Sequence, residues 1–173
     1  MPIEDAFYSF GDNLIKKSKA NLEKLGKNAS KKLSNSLRYN LTISKNSYAF
    51  TFEMEDYGDY VDKGVKGVGG TKADGSKWDK RIVTTNNYSY KNKKPPTSVF
   101  DKWIVRKGLA GRNSKGQFTS REGLKFAIST SVYHRGLATT KFYSKPFEEE
   151  FKKLPQELIE AYALTVENIL TND

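Results

Sequence analysis

The sequence predicts an α+β fold in which helices pack against a small antiparallel sheet. A long helical pattern opens the chain over residues 3–38, and a strand–turn–strand pattern follows over residues 41–54. Further helical patterns lie beyond residue 97, after a long stretch without periodicity. A chain of 173 residues has the size of a single domain, which would bury about two-thirds of its unfolded surface.

The first helix is predicted from apolar side chains that recur every three or four residues, or at sums of these spacings. They are Ile3, Phe7, Phe10, Leu14, Leu22, Leu25, Ala29, Leu33 and Leu37, with lysines mostly on the other side. Gly11 and Gly26 each cost about 1 kcal/mol relative to alanine, so a bend or break is expected near one of them. A basic amphipathic helix also suits a membrane surface, but the sheet that follows favours core packing.

A β-hairpin is predicted next, because apolar and polar residues alternate on both sides of a turn at Lys45-Asn46-Ser47. The apolar positions are Leu41, Ile43, Tyr48, Phe50, Phe52 and Met54. A two-stranded ribbon is marginal alone, so the long helix is expected to cover its aromatic face. Further strand pairing is expected from elsewhere in the chain or from another subunit.

Residues 64–97 show no periodicity and carry eight lysines and arginines against two aspartates, a formal charge of +6. So long an irregular stretch is commonly functional or disordered. We interpret residues 65–97 as an extended basic arm, with a small projecting hairpin around Asn86-Asn87. The remaining chain would serve as its rigid mount.

Three helices are predicted after the arm. Residues 97–108 follow Pro95-Pro96 and place Val99, Trp103 and Ile104 on one face, and a second loop occupies residues 110–119. The next helix begins at Ser120, carries the stripe Leu124, Ile128 and Val132, and ends at Gly136. The last begins at Pro146, is kinked or restarted at Pro155, and carries the stripe Phe147, Phe151, Leu154, Leu158, Tyr162, Val166 and Ile169.

The composition excludes several kinds of site. With no cysteine and only His134, the chain has no disulfide, no thiolate nucleophile and no pair of histidines. No apolar run approaches the roughly 20 residues that span a bilayer, and the N-terminus lacks the pattern of a secretory signal. We therefore expect a protein that is made in a cytoplasm and has no membrane partner.

No catalytic constellation is evident, so we expect no enzyme, cofactor or metal site. Asp56, Asp59 and Asp62 recur every three residues but lack the spacing of a calcium loop, and we interpret them as solvated turns. The glycines that begin at Gly64 lack the lysine and serine or threonine of a phosphate loop. His134, at a helix end, is expected to pack or to meet terminal carbonyl groups. A small enzyme with an acid–lysine site remains the least favoured alternative.

The basic arm is the candidate functional surface. Lysines interleaved with aromatic rings suit nucleic acid, by phosphate attraction and stacking, and an arm that orders itself on a neighbouring subunit fits equally well. The candidate intersubunit or DNA-facing residues are Lys66, Lys72, Lys77, Trp78, Lys80, Arg81, Tyr88, Tyr90, Lys91, Lys93 and Lys94. Residues 148–173 carry a formal −5, which suits either head-to-tail contact between copies or an ordinary solvated surface.

Four motifs, taken in order, resemble the tail-completion or head–tail joining proteins of tailed bacteriophages. After the long helix and hairpin come Tyr57–Gly64 (Tyr-x-x-Tyr-Val-Asp-x-Gly), then Arg135-Gly136-Leu137, then the aromatic-Pro segment Phe142–Phe147 before the last helix. The resemblance extends over most of the chain, although residues 65–97 are longer and more basic than the family's loop.

The resemblance implies a structural virion protein in the neck, between the portal complex and the tail. Such subunits form homo-oligomeric rings, often hexameric or dodecameric, that contact portal, adaptor and tail proteins. Heterologous contacts close rings of this kind, and we expect the sheet edge and the basic arm to supply them. The arm could also touch DNA in the lumen without reading its sequence. The alternative is a nonspecific DNA-binding or packaging-associated phage protein that acts as a monomer or dimer.

Overall fold

The computed structural model describes the backbone of residues 2–45, 47–83 and 87–171, and within these ranges the side chains of residues 3–164. The predicted α+β class is confirmed. Internal contacts divide the chain into two compact units, unit 1 (residues 1–56 and 141–173) and unit 2 (residues 57–140). The single domain expected from the sequence stays a prediction.

Unit 1 begins with α1 (Pro2–Lys24) and the short α2 (Lys32–Ser36). The break falls at Gly26, which has φ +61° and donates its N–H to the carbonyl oxygen of Glu23 at 2.9 Å. Gly11 stays inside α1, where an added side-chain carbon would lie 2.6 Å from the ring of Tyr39. Gly26 therefore ends the helix, while Gly11 allows an aromatic ring to approach it closely.

The predicted hairpin is confirmed as β1 (Arg38–Ser44) and β2 (Ser47–Glu53), with Ser44 opposite Ser47; Asn46 of the turn lies outside the described residues. One face carries aromatic rings that meet α1: Phe7 stacks on Tyr48 at 5.1 Å between centroids, and Phe10 meets Phe50 edge-on at 4.9 Å. The other face is polar. Among the described residues, neither outer edge of the hairpin pairs with a further strand.

The core of unit 1 lies between α1 and the two last helices, α6 (Ser144–Phe151) and α7 (Leu154–Thr171). It contains Ala6, Phe10, Leu14 and Leu154, with Phe147 and Leu158 packed against them. Pro155 is the second residue of α7, where its missing N–H costs nothing. The restart expected at this proline is therefore found.

The apolar stripe predicted along the last helix is only partly buried, so the prediction that it packs as one face is wrong in part. Leu154 and Ala161 are buried, whereas Phe151 and Tyr162 are exposed, and so are Ile159 and Leu164 beside them. The two-residue break between α6 and α7 shifts the helical phase, so one straight stripe cannot face α1 throughout. The side chains of Val166 and Ile169 lie outside the described residues.

One acidic side chain, Glu150, is buried in unit 1. Its Oε1 accepts from Lys17 Nζ at 2.6 Å and from Lys153 Nζ at 3.0 Å. The hydrogen bond from Lys17, and secondarily that from Lys153, lowers the pKa of Glu150 below its ordinary 4.5 even though burial opposes the shift.

The first testable prediction is that Glu150→Gln destabilises the protein by about 1 kcal/mol at neutral pH. Because the folded pKa is below the unfolded one, this stabilisation is complete above pH 4.5 and is lost as the pH falls through the folded value. Urea unfolding at a series of pH values should show the two proteins converging in acid. The exposed Glu148→Gln is the control, and a pH-independent difference would contradict the prediction.

Unit 2 contains α3 (Gly58–Lys63), β3 (Val65–Lys66), a 3₁₀ turn (Thr97–Phe100), α4 (Asp101–Arg106), α5 (Arg121–Arg135) and β4 (Gly136–Leu137). The predicted bounds of α5 are confirmed, since Ser120 Oγ accepts from Gly123 N–H and Gly136 ends the helix at φ +83°. The face expected on the preceding helix is wrong in part: Ile104 is buried, but Val99 and Trp103 are exposed. An α-helix turns by about 100° per residue, so Trp103 and Ile104 point in different directions, and Val99, five residues before Ile104, lies on another side as well.

Across the described ranges, no helix combines the length and the apolar character needed to cross a membrane.

Candidate assembly and nucleic-acid surface

A junction of two short strands brings together two of the motifs quoted above. The strand β3, which directly follows Tyr57–Gly64, pairs antiparallel with β4, which contains Gly136 and Leu137. The chain after β4 continues the contact, since the hydroxyl groups of Thr139 and Thr140 donate to carbonyl oxygens of α3 at 2.7 and 2.6 Å. The Tyr57–Gly64 motif is thus a turn of helix fastened to the end of α5.

Glycines make this close backbone contact possible. Gly64 and Gly136 have φ of +77° and +83° with ψ near 180°, a region that only glycine occupies readily. An added side-chain carbon at Gly64 would lie 2.5 Å from the carbonyl oxygen of Leu137, and one at Gly67 would run into the backbone of His134. Packing at the junction therefore accounts for these glycines.

Residues 65–97, called the basic segment below, fold back on unit 2, which differs from the extended arm that the sequence predicts. Val68 and Gly69 donate their N–H groups to the carbonyl oxygens of Tyr133 and His134 at 3.1 and 2.9 Å, and Arg81 donates to that of Arg135 at 2.9 Å. The last carbonyl groups of a helix lack partners within it. The basic segment supplies those partners and is ordered by its own chain.

The flanks of the hairpin expected around Asn86-Asn87 also pair with other segments. The carbonyl oxygen of Ile82 accepts from Thr139 N–H at 3.1 Å, and Ser89 bridges to Lys66 on β3. Asn86 and its two preceding neighbours lie outside the described residues. The described flanks therefore do not pair with each other as a separate projecting hairpin would require.

His134 anchors the first half of the basic segment. Its ring stacks on Trp78 at 5.0 Å between centroids and 6° between planes. Its Nδ1 lies 2.5 Å from the carbonyl oxygen of Gly69, and because a carbonyl can only accept, Nδ1 carries the proton and donates. On the Trp78 ring, Lys72 Nζ lies 5.5 Å from the centroid, within the range of a cation–π contact. His134 therefore packs, as one of the two expectations had it, but the carbonyl group it meets belongs to Gly69 and not to the end of its own helix.

Tyrosines line an open groove beside the junction. Tyr60 and Tyr88 lie 4.6 Å apart between ring centroids, and they form the groove of about 520 Å³ together with Val65, Tyr90 and Leu137. Burial raises the pKa of the Tyr90 hydroxyl, so this group stays protonated at neutral pH. The groove is mostly hydrophobic, with phenol hydroxyl groups and the side chain of Lys91 also in its lining.

The predicted site residues divide into an exposed set of cations and a half-buried set of anchors. The exposed side chains are Lys66, Lys77, Lys80, Lys91, Lys93 and Lys94. The half-buried ones are Lys72, Trp78, Arg81, Tyr88 and Tyr90. The aromatic residues of the basic segment thus hold it against the rest of unit 2, and its lysines other than Lys72 are exposed.

Charge is segregated between the two units. Unit 2 carries 17 lysines and arginines against 6 aspartates and glutamates, a formal +11, and unit 1 carries 13 against 14, a formal −1. The whole excess of +10 therefore belongs to unit 2. The contrast is sharper than the local +6 of residues 64–97 suggested, because α4, α5 and the loop between them add further cations.

No role was predicted for the second loop, residues 110–119, or for the aromatic rings of α5. The loop forms a β-hairpin in which Arg112 bridges to Phe118, and Arg112 lies over that ring at 4.0 Å from the centroid. On α5, Lys94 Nζ lies 5.2 Å from the Phe126 ring. The signal that could have found the hairpin is Gly116, at the same place relative to its flanks as Gly75 in the first loop.

The acidic residues of the motif are less solvated than expected. Asp62 is 1 % exposed, so its assignment to a solvated turn is wrong; it lies in α3, whose carbonyl groups bind the chain after β4. Asp59 accepts from Lys63 Nζ at 2.9 Å, and this contact raises the pKa of Lys63. A lysine held protonated is poorly suited to act as a base or nucleophile. Within the part of the chain that is described, no three acidic or histidine side chains cluster as metal ligands would.

No protein-family model matches the chain, and no curated protein and no solved structure is significantly similar to it.

Proposed function

We propose that this chain is a structural subunit of the neck of a tailed bacteriophage, where copies form a ring between the portal complex and the tail. The observation that carries the proposal is the junction of β3 and β4. It joins the Tyr57–Gly64 motif directly to the Arg135–Leu137 motif, two of the features on which the resemblance to tail-completion proteins rests. The contact between these two motifs supports treating them as parts of one pattern.

Two exposed features of unit 1 suit contacts between copies. On α7, Ile159 and Tyr162 are 64 % and 62 % exposed and lie one turn apart on the same face, and an exposed apolar patch on a small protein commonly marks an interaction surface. The β1–β2 hairpin offers edges that no other described strand occupies, and such edges readily accept a strand from a neighbour.

Light scattering on the purified full chain, alone and with portal or tail proteins, tests the proposal. A ring, or a monomer that assembles only on one of these partners, supports a neck subunit. A monomer that assembles with neither contradicts it. Imaging of phage particles with the chain labelled should then place the label between head and tail.

The second testable prediction concerns the apolar patch on α7. Ile159→Lys should reduce assembly at least tenfold, since a charge in the core of an interface stays unpaired and costs more than 1.4 kcal/mol. The fold should be unaffected because the side chain is 64 % exposed. Asn13→Lys, at an exposed position of α1, is the matched control and should assemble normally. Equal assembly of the two variants would exclude this face from the ring.

The charge of unit 2 supports a second candidate function, nonspecific DNA binding. A formal +11 on one folded unit attracts phosphates whatever their sequence. A lumen-facing neck subunit and a separate packaging-associated protein would both use such a surface. Binding of duplex DNA that weakens steeply with salt, by a chain that stays monomeric with portal and tail proteins, would favour the separate protein.

A further inference from the structure

Unit 2 contains the same β-hairpin twice, at residues 70–78 and 111–119. In the first, Lys72 donates its N–H to Ser76 O at 2.7 Å, Gly75 to Lys72 O at 3.0 Å, and Trp78 to Gly70 O at 3.0 Å. In the second, at positions 41 residues later, Asn113 donates to Gln117 O, Gly116 to Asn113 O and Thr119 to Gly111 O, each at 2.9 Å. We call these hairpin 1 and hairpin 2.

Details of the two tips agree as well. Gly75 and Gly116 occupy the same place with φ of +82° and +77°, and neither has a heavy atom near the position of an added side-chain carbon. The strand bridges also correspond, Thr71 to Lys77 and Arg112 to Phe118. Sequence identity between the hairpins is limited to glycines, so the shared feature is a backbone shape with a tip that faces solvent.

Each hairpin places a cation over an aromatic ring six residues later, with the two pairs offset by one position, because Arg112 corresponds to Thr71 rather than to Lys72. Lys72 lies over Trp78 in hairpin 1, and Arg112 lies over Phe118 in hairpin 2, where the ring is 67 % exposed. Lys77 and Lys115 are further exposed cations on the two hairpins. The one carboxylate, Asp74, accepts from the N–H and the hydroxyl group of Ser76 at 2.9 and 2.6 Å, so it is engaged within its own tip.

The two hairpins lie at opposite ends of α5. Hairpin 1 is fastened to the last turn through Trp78 and His134, and hairpin 2 leads into the first turn at Ser120. The helix has 15 residues, about 22 Å at 1.5 Å per residue. That length corresponds to about six base pairs of duplex DNA at 3.4 Å per step.

An irregular, lysine-bearing stretch, residues 91–95, runs along α5 between the hairpins. Tyr133 donates its hydroxyl to Lys91 O at 2.6 Å, and one turn earlier Ser129 donates to Pro95 O at 2.6 Å. Lys94 donates to Thr130 Oγ1 at 3.3 Å and lies over Phe126. These positions share one face of α5 with His134, since they are spaced by three, four and seven residues or their sums. The basic stretch 91–95 therefore connects the region of hairpin 1 to that of hairpin 2.

We propose that hairpins 1 and 2 are duplicate contact sites for the phosphates of one DNA duplex, connected by the basic stretch 91–95 along α5. The major groove is about 12 Å wide and admits a two-stranded β-ribbon, and cations on a ribbon can reach the phosphates on both sides. The amide side chains of hairpin 2 are engaged within the hairpin, since Asn113 Nδ2 donates to Gln117 Oε1 at 3.1 Å and Asn113 Oδ1 accepts from the N–H groups of Lys115 and Gln117 at 3.0 Å. Binding through the exposed cations is therefore independent of sequence. This inference rests on the DNA contact proposed above and extends it to residues 111–119.

The test is the salt dependence of binding of the full chain to a short duplex of mixed sequence. Each lost phosphate contact lowers the slope of log affinity against log salt by about 0.9. Lys72→Gln with Lys77→Gln should therefore lower the slope by about 2, Arg112→Gln with Lys115→Gln by the same amount, and all four changes by about 4. The matched control, Lys16→Gln with Lys19→Gln on α1, removes the same charge and should leave the slope unchanged.

A separate variant distinguishes charge from hairpin shape. Arg112 Nη1 also donates to Gly116 O at 2.7 Å, so its loss could disturb the tip. Arg112→Lys keeps the charge and should retain the slope. If Arg112→Lys lowered the slope by about 0.9, as the loss of one phosphate contact would, the phosphate assignment for hairpin 2 would be overturned.

The remaining outcomes are distinct. If the unchanged protein binds no DNA, both the DNA contact and this inference fail. If the slope responds to hairpin 1 alone, or equally to the α1 control, the DNA contact stands and the duplicate site is overturned. If the hairpin variants lose self-association while DNA binding is unchanged, the hairpins bind an acidic surface of a second copy, and the assignment to DNA is wrong.

Discussion

Gly136→Ala is expected to destabilise unit 2 by about 3 kcal/mol or more. Its φ of +83° and extended ψ put the residue in a region that costs other amino acids about 1–3 kcal/mol. An added carbon would also collide with the carbonyl oxygen of Val65 and the N–H of Gly67, both backbone atoms that cannot rotate away. Forcing them apart separates β3 from β4, so the two costs combine.

Tryptophan fluorescence during urea unfolding measures this effect, because both tryptophans, Trp78 and Trp103, belong to unit 2. Gly108→Ala is the matched control: it has φ +60° but nothing within 4 Å of the new carbon, so it should cost about 1 kcal/mol. Equal midpoints for Gly136→Ala and Gly108→Ala would mean that the junction is not closely packed.

Phe10→Ala is expected to cost unit 1 about 3–5 kcal/mol, as buried phenylalanine truncations do. The Phe10 ring is 3 % exposed and meets Phe50 on β2 and Phe147 on α6 edge-on, at 4.9 and 5.7 Å. Its removal takes away the one side chain of α1 that touches both the hairpin and α6 through aromatic contacts among the described residues. The surrounding helices and strands can close the cavity only by moving together.

The helical circular-dichroism signal is the suitable readout for this variant, since α1, α6 and α7 are the longest helices of unit 1. Tyr8→Ala, two residues away and 44 % exposed, should change stability by less than about 0.5 kcal/mol. A loss for Phe10→Ala no larger than that of Tyr8→Ala would mean that the core is centred elsewhere.

Local sequence patterns predict the helix ends and the hairpin, because these depend on nearby residues. The alternation around Phe50 and Phe52 predicts the hairpin, and Ser120 with Gly136 predicts both ends of α5. A break in the first helix is predicted near Gly11 or Gly26, and it falls at Gly26. Each of these depends on an interaction within a few residues, such as a cap, a turn or one face of a strand. The same holds for the restart at Pro155.

The features that sequence analysis missed depend on contacts between distant residues. Nothing near Val68 or Arg81 shows that the last carbonyl groups of α5 would bind them, so the basic segment resembled a free arm. Likewise, the acidic spacing around Asp62 gives no sign that residues after β4 would cover it. The two hairpins were missed because their likeness lies in backbone hydrogen bonds, while Lys72 and Asn113 differ in chemistry.

The way unit 2 begins and ends has a consequence for how such chains can diversify. Its first helix, α3, and the last residues before position 141 are bound to each other through Thr139 and Thr140. A sequence inserted between two positions of a host fold is tolerated best when its own ends are near each other. The two ends of unit 2 are therefore held together by its own hydrogen bonds. Unit 2 could be lengthened, shortened or exchanged while the residues before 57 and after 140 keep their own core.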